Sequence, residues 1–114
     1  MIKRTLEELK PYAPPGHFGM AAMMIHGKEE TGAKKFRFAL SVFLPGGGAE
    51  WDKETLEKIY YVLEGSVTVT DKAGKKYVLH KDESLVIVPG DERHLINESN
   101  LPAKMLVIAA YPDE

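Results

Sequence analysis

The chain has 114 residues, a formal net charge of −2, 44% hydrophobic and 28% charged residues, and no cysteine. That length supports one domain with its own core, and the absence of thiols excludes disulfides and thiolate metal sites. Lys and Glu are interspersed, and no phosphate-loop or dinucleotide signature is present, so nucleic acid is not an expected partner.

No stretch approaches the roughly 18 apolar residues of a membrane span, so no membrane partner is expected. The start, MIKRTLEELK, is basic but no apolar segment follows it. A secretory signal is therefore not expected, and the cytoplasm is the expected location. Asn97-Glu98-Ser99 fits the glycosylation pattern, which without such a signal is a chance match.

Thr5-Leu-Glu-Glu8 has the form of a capping box, and Pro11 would stop a helical turn over residues 6–10. Pro11, Pro14, Pro15 and Gly16 then impose an extended path. His17 to His26 is an apolar strand with three Met, and Gly27 to Lys35 is a polar turn region. Phe36 to Leu44 alternates: Phe36, Phe38, Leu40, Val42 and Leu44 share one face, and Arg37, Ala39, Ser41 and Phe43 the other. Pro45 and three glycines are expected to end that strand.

A strand from Ile59 to Thr70 follows, with a bulge expected at Gly65. Asp71 to Lys75 reads as a hairpin turn and Tyr77 to Leu79 as its return strand. Ser84 to Val88, Arg93 to Ile96 and Met105 to Ala110 are further short strands. Strands at this spacing with almost no helix indicate an all-β barrel or sandwich. Residues 1–35 are expected to form an arm and first strand packed on a barrel core of residues 36–114, within one domain overall.

PGGGAEWDKETLEKIYYVLEG, followed by VIVPGDERH, resembles the two motifs of a small single-domain cupin. In that family a Gly-rich turn leads to His-x-His, then a Glu, then an apolar strand ending in Gly. The second motif is a strand ending in Pro, with a Gly two residues and a His five residues after it, and an Asn nearby. The resemblance covers roughly residues 36–110 and implies a double-stranded β-helix, the jelly-roll barrel of RmlC-like cupins. Counted back from Gly65, the two His positions fall on Asp52 and Glu54, and the Glu position on Lys58. His94 matches the second-motif His, and Asp91 replaces its Gly.

The three-His, one-Glu cage of the family is therefore absent, and no cofactor is favoured. Alternation gives Asp52, Glu54, Lys58, Tyr60 and Val62 a shared inward direction. In one reading the Lys58 ammonium replaces a metal ion and neutralises the carboxylates. In a second, Asp52, Glu54 and His94 ligate a divalent metal. In a third, the acidic residues lie on a solvated loop and His94 is a hydrogen-bonded wall residue.

The resemblance implies a small-molecule ligand in the barrel. One reading is metal-independent acid–base chemistry of an isomerase, epimerase or lyase, as in dTDP-sugar epimerases, with His94 as base, Tyr60 as acid and Lys58 stabilising an enolate. Asp52, Glu54 and His26 are further pocket candidates, while His17 and His80 are expected at the surface. The alternatives are a non-catalytic ligand-binding or sensing protein, and an atypical metallo-cupin. A homodimer is expected from the family.

Overall fold

The alternating segment from Phe36 builds the spine of the molecule, but it does not stop at Pro45. The computed structural model describes residues 1–112. In it, strand β2 runs from Phe36 to Lys53. The glycines after Pro45 serve close approach rather than chain reversal. A Cβ on Gly47 would collide with the Gly19 carbonyl, and one on Gly48 with the Leu95 carbonyl. Backbones can pass at these points only because no side chain stands between them.

The length of β2 lets it pair with two different strands in succession. Its first half pairs with β8 (Ala103–Ala110), from Phe36↔Ala110 to Phe43↔Ala103. Its second half pairs with β7 (Glu92–Ile96) through Gly48↔Ile96, Ala49↔Leu95 and Asp52↔Arg93. β1 (His17–His26) lies along the other edge of β2. β8 pairs onward to β3 (Lys58–Glu64), and β3 to β6 (Ser84–Ile87). β7 pairs onward to β4 (Ser66–Asp71), and β4 to β5 (Lys76–His80). All these pairings are antiparallel, and the result is a nearly closed barrel of jelly-roll type, about 57% strand and 6% helix.

Gly65 is a corner rather than a bulge within one strand. With φ of +74° it turns the chain from β3, on one side of β2 in the strand order, to β4, on the other, a backbone conformation open to Gly at little steric cost. The hairpin at Asp71–Lys75 forms as the turn residues predict, closed by Asp71 N donating to Lys75 O at 3.0 Å. The segment Gly27–Lys35 includes a one-turn helix, α1 (Lys28–Thr31), which Gly32 ends in the left-handed region. Near the amino terminus only a 3-10 turn forms, at Leu6–Glu8, and the Thr5 side chain makes no capping bond. No helix among the described residues is long and apolar enough to cross a membrane.

The inward face of β2 is the less hydrophobic of its two. Ala39, Ser41 and Phe43 are buried, whereas Phe36 and Leu44 on the other face are more than half exposed. Small residues here leave room inside the barrel. The core proper lies deeper, where Phe43, Val62, Val67, Leu95 and Met105 are fully buried. The arm is stitched on by a two-way bridge, Tyr12 N to Ala22 O at 2.9 Å and Ala22 N to Tyr12 O at 2.8 Å.

Asn97 closes the deep end. It is fully buried, and its Nδ2 donates to Phe43 O and Leu101 O while its Oδ1 accepts from the Ser99 amide and hydroxyl. Its own backbone exchanges bonds with Gly46 and Gly47, so it holds the bend of β2. Asn97→Ala should cost about 2–3 kcal/mol, because two buried carbonyls lose a donor. Urea unfolding at unchanged slope measures this, and a loss below about 0.5 kcal/mol would contradict the assignment.

Candidate functional site

Register across one sheet sets the wall of the barrel cavity row by row. Lys58 on β3, Ala109 on β8 and Arg37 on β2 form one row; Tyr60, Val107 and Ala39 the next; Val62, Met105 and Ser41 the third. The facing wall comes from β7, where Arg93 and Leu95 point inward. β1 adds His17, Ala22 and Met24, and the arm adds Tyr12, Pro14 and Pro15. Together they enclose about 310 Å³. An outer cleft of about 600 Å³ lies beneath the arm and shares Tyr12, Met24 and Arg37 with it.

Beside this cavity sits an ion triad. Glu54 is 3% exposed, with Lys58 Nζ 2.6 Å from its Oε2 and Arg93 Nη2 2.9 Å from its Oε1. The Arg93 contact is electrostatic rather than an aligned hydrogen bond, since Oε1 has no hydrogen-bond partner. Arg93 directs two further donors to Glu50 O at 2.7 Å and Tyr60 Oη at 3.3 Å. Backbone bonds hold Glu54 in place: its amide donates to Asp91 O and its carbonyl accepts from Gly90 N, both at 2.8 Å. Burying three charges is tolerable only in such mutual contact.

Tyr60 is buried, and burial pushes its phenol above the ordinary value. The adjacent Arg93 guanidinium pulls the other way, and the Glu54 and Asp52 charges add to the rise. Because its oxygen accepts from Arg93 Nε, its own hydrogen is left to donate elsewhere.

The residues singled out from the sequence do not all converge. Glu54, Lys58 and Tyr60 come together as described. Asp52 shares the face of Arg93 but is exposed at the rim. His94, expected as the base, lies on the opposite side of β7 from Arg93, its ring centroid 5.6 Å from that of Trp51. His26 does not line the cavity; its Nδ1 is 3.1 Å from Thr31 Oγ1. The inward position belongs instead to Arg93. A sequence signal existed, because counting from Gly90 rather than Pro89 places the family His on Arg93. His17 was also missed, and its imidazole lines the cavity with Nδ1 3.0 Å from Pro15 O. A carbonyl can only accept, so Nδ1 carries the hydrogen and the neutral ring has Nε2 unprotonated.

This donor set does not fit a divalent metal. Both Glu54 oxygens face cations, Lys58 at Oε2 and Arg93 at Oε1. No group of three His, Cys, Asp or Glu among the described residues is arranged to hold an ion. Of the ligand set of the metal reading, Asp52 is exposed at the rim, Glu54 is buried against cations and His94 lies on the other side of the β7 pleat. The inner lining carries three cations, Arg37, Lys58 and Arg93, and no carboxylate.

Comparison with known proteins agrees with the architecture. The Cupin domain family model matches residues 39–109. A protein named as a β-D-galactosidase from Mycobacterium tuberculosis is 34% identical over 101 residues, covering 89% of this chain and 86% of that one. A polyketide cyclase from Streptomyces resistomycificus superposes with a TM-score of 0.85 at 22% identity, over 96% of this chain and 80% of that one. A Thermotoga maritima protein described as a predicted oxalate decarboxylase gives 0.80 at 22% identity, over 98% and 100%. At such identities the two structures testify to the fold alone.

If the triad is a coupled unit, Glu54→Gln should destabilise by about 3 kcal/mol, since two buried cations lose their counter-charge. Adding Lys58→Met should recover part of that loss. Denaturant unfolding of both variants measures it, and strictly additive effects would show that the two residues do not interact.

Proposed function

The chain belongs to the cupin family, and we propose that its barrel binds a small carboxylate-bearing molecule and acts on it by proton transfer without a metal. The observation that carries this reading is the inner lining, with three cations and no carboxylate around an otherwise mostly apolar space. Glu54 neutralises part of that charge from behind, so the cavity keeps an excess of positive charge toward a ligand. Arginine and lysine donors in a confined, low-dielectric site favour an oxyanion strongly.

The chemistry follows from which donors remain. An acid group of the ligand docks on Lys58 and Arg93. Tyr60, kept protonated, hydrogen-bonds a carbonyl oxygen or the enolate that forms from it. The base is His17 rather than His94, because His17 lines the cavity and its Nδ1 contact to Pro15 O leaves Nε2 free to accept a proton. A proton next to a carbonyl would pass to Nε2 and return to another position, an isomerase or epimerase step, or leave with a group lost in a lyase step. The apolar side chains of Leu95, Met105 and Val107 exclude water from the reacting centre.

The name of the mycobacterial relative prompts a glycosidase reading, which this site supports poorly. Glycoside hydrolysis in most families uses two carboxyl groups flanking the bond. Here Glu54 is engaged by two cations and Asp52 is at the rim. A sugar ring would also leave many hydroxyls against an apolar wall.

Titration calorimetry with small 2-keto and 3-keto acids tests the proposal. Binding should persist in excess chelator, and Lys58→Met should weaken it about tenfold, the loss of one charge-assisted contact. Unchanged affinity in Lys58→Met, or no binding of any carboxylate, would contradict it.

A further inference from the structure

Arg37 has no role in the triad, yet it lines both the barrel cavity and the outer cleft. It is half-buried, and among the described residues its guanidinium has no hydrogen bond or ion pair. Five donors in a partly desolvated position without a partner are costly to hold. Glu30 lies in the same outer cleft but forms no ion pair with it. The Arg37 charge is nevertheless felt at Tyr12, where it opposes the rise that burial of that phenol causes.

Register gives the spacing. Arg37 and Lys58 both pair with Ala109, from opposite sides and on the same face. Their backbones therefore stand two strand spacings apart, about 10 Å, with only a methyl group between. One cationic anchor is Lys58 with Arg93, partly neutralised by Glu54; the other is Arg37, in the same row, without an ion pair among the described residues although Glu8, Glu29 and Glu30 line the outer cleft it shares.

From this we infer that the ligand is a small dicarboxylate, bound at one end by Lys58 and Arg93 and at the other by the Arg37 fork. The inference rests on the carboxylate reading of the site and names the ligand class more narrowly. A diacid whose carboxyl groups are separated by a few methylenes suits a span of this order better than oxalate, whose acid groups are bonded directly to one another. Arg37 thereby acts as a specificity residue, selecting ligands with a second acid group and orienting them along the row over Ala109.

Calorimetry with the series oxalate, succinate, glutarate and adipate, against butyrate and valerate as monoacids, tests this. The best of the longer diacids should bind about tenfold or more tightly than the monoacids, with oxalate no better than they are. Arg37→Gln should abolish the preference for diacids, and Arg37→Lys, which keeps charge but not the planar fork, should restore part of it. Monoacids binding as well as diacids, with the ratio unmoved in Arg37→Gln, would overturn the inference and leave the carboxylate reading standing. If neither class binds, the carboxylate reading falls and this inference with it.

Discussion

A carboxylate buried under two cations is the constraint on which the interior depends. Glu54 cannot lie there without Lys58 and Arg93, and neither cation can be so enclosed without Glu54. The backbone reinforces this arrangement, since bonds to Asp91 and Gly90 place Glu54 against the loop that leads into β7. The triad ties the end of β2, the start of β3 and β7 into one electrostatic unit. It places fixed positive charge at the edge of the cavity.

The fold was legible because it depends on local pattern. Period-two alternation, turn residues at Asp71–Lys75 and the apolar run ending at Gly65 each report on a few neighbouring residues, and all point to a β-barrel. What misled were glycines with long-range causes. Gly47 and Gly48 look like a turn, but they answer to Gly19 and Leu95, which are distant in sequence. Gly65 looks like a bulge until the places of the two strands it joins are known.

The site was legible in part for the same reason. Glu54, Lys58 and Tyr60 follow from alternation along a single strand and its preceding loop. The choice of His94 over Arg93 failed on a shift of one residue, which in a strand exchanges inside for outside. Histidine attracts attention as a chemical group, but Leu95, Arg93 and Asn97 share the buried face and define the direction. His17 could not be found by pattern, because its place at the cavity depends on the pairing of β1 with the far half of β2, His17 opposite Ala49. Arg37 was visible on the correct face of β2, without any sign that the face pointed inward.

These features describe a barrel whose lining carries Arg37, Lys58 and Arg93 beside Tyr60 and His17, and the proposed chemistry assigns the charge to the cations and the protons to Tyr60 and His17. The most direct measurement is elemental analysis of protein purified without a metal-binding tag, paired with thermal unfolding in chelator and in added Mn²⁺, Fe²⁺, Zn²⁺ or Ni²⁺. The account predicts less than about 0.1 ion per chain and a midpoint moved by less than about 1 °C, as expected when no ion binds the folded state selectively. A stoichiometric ion, or a midpoint several degrees lower in chelator, would contradict it.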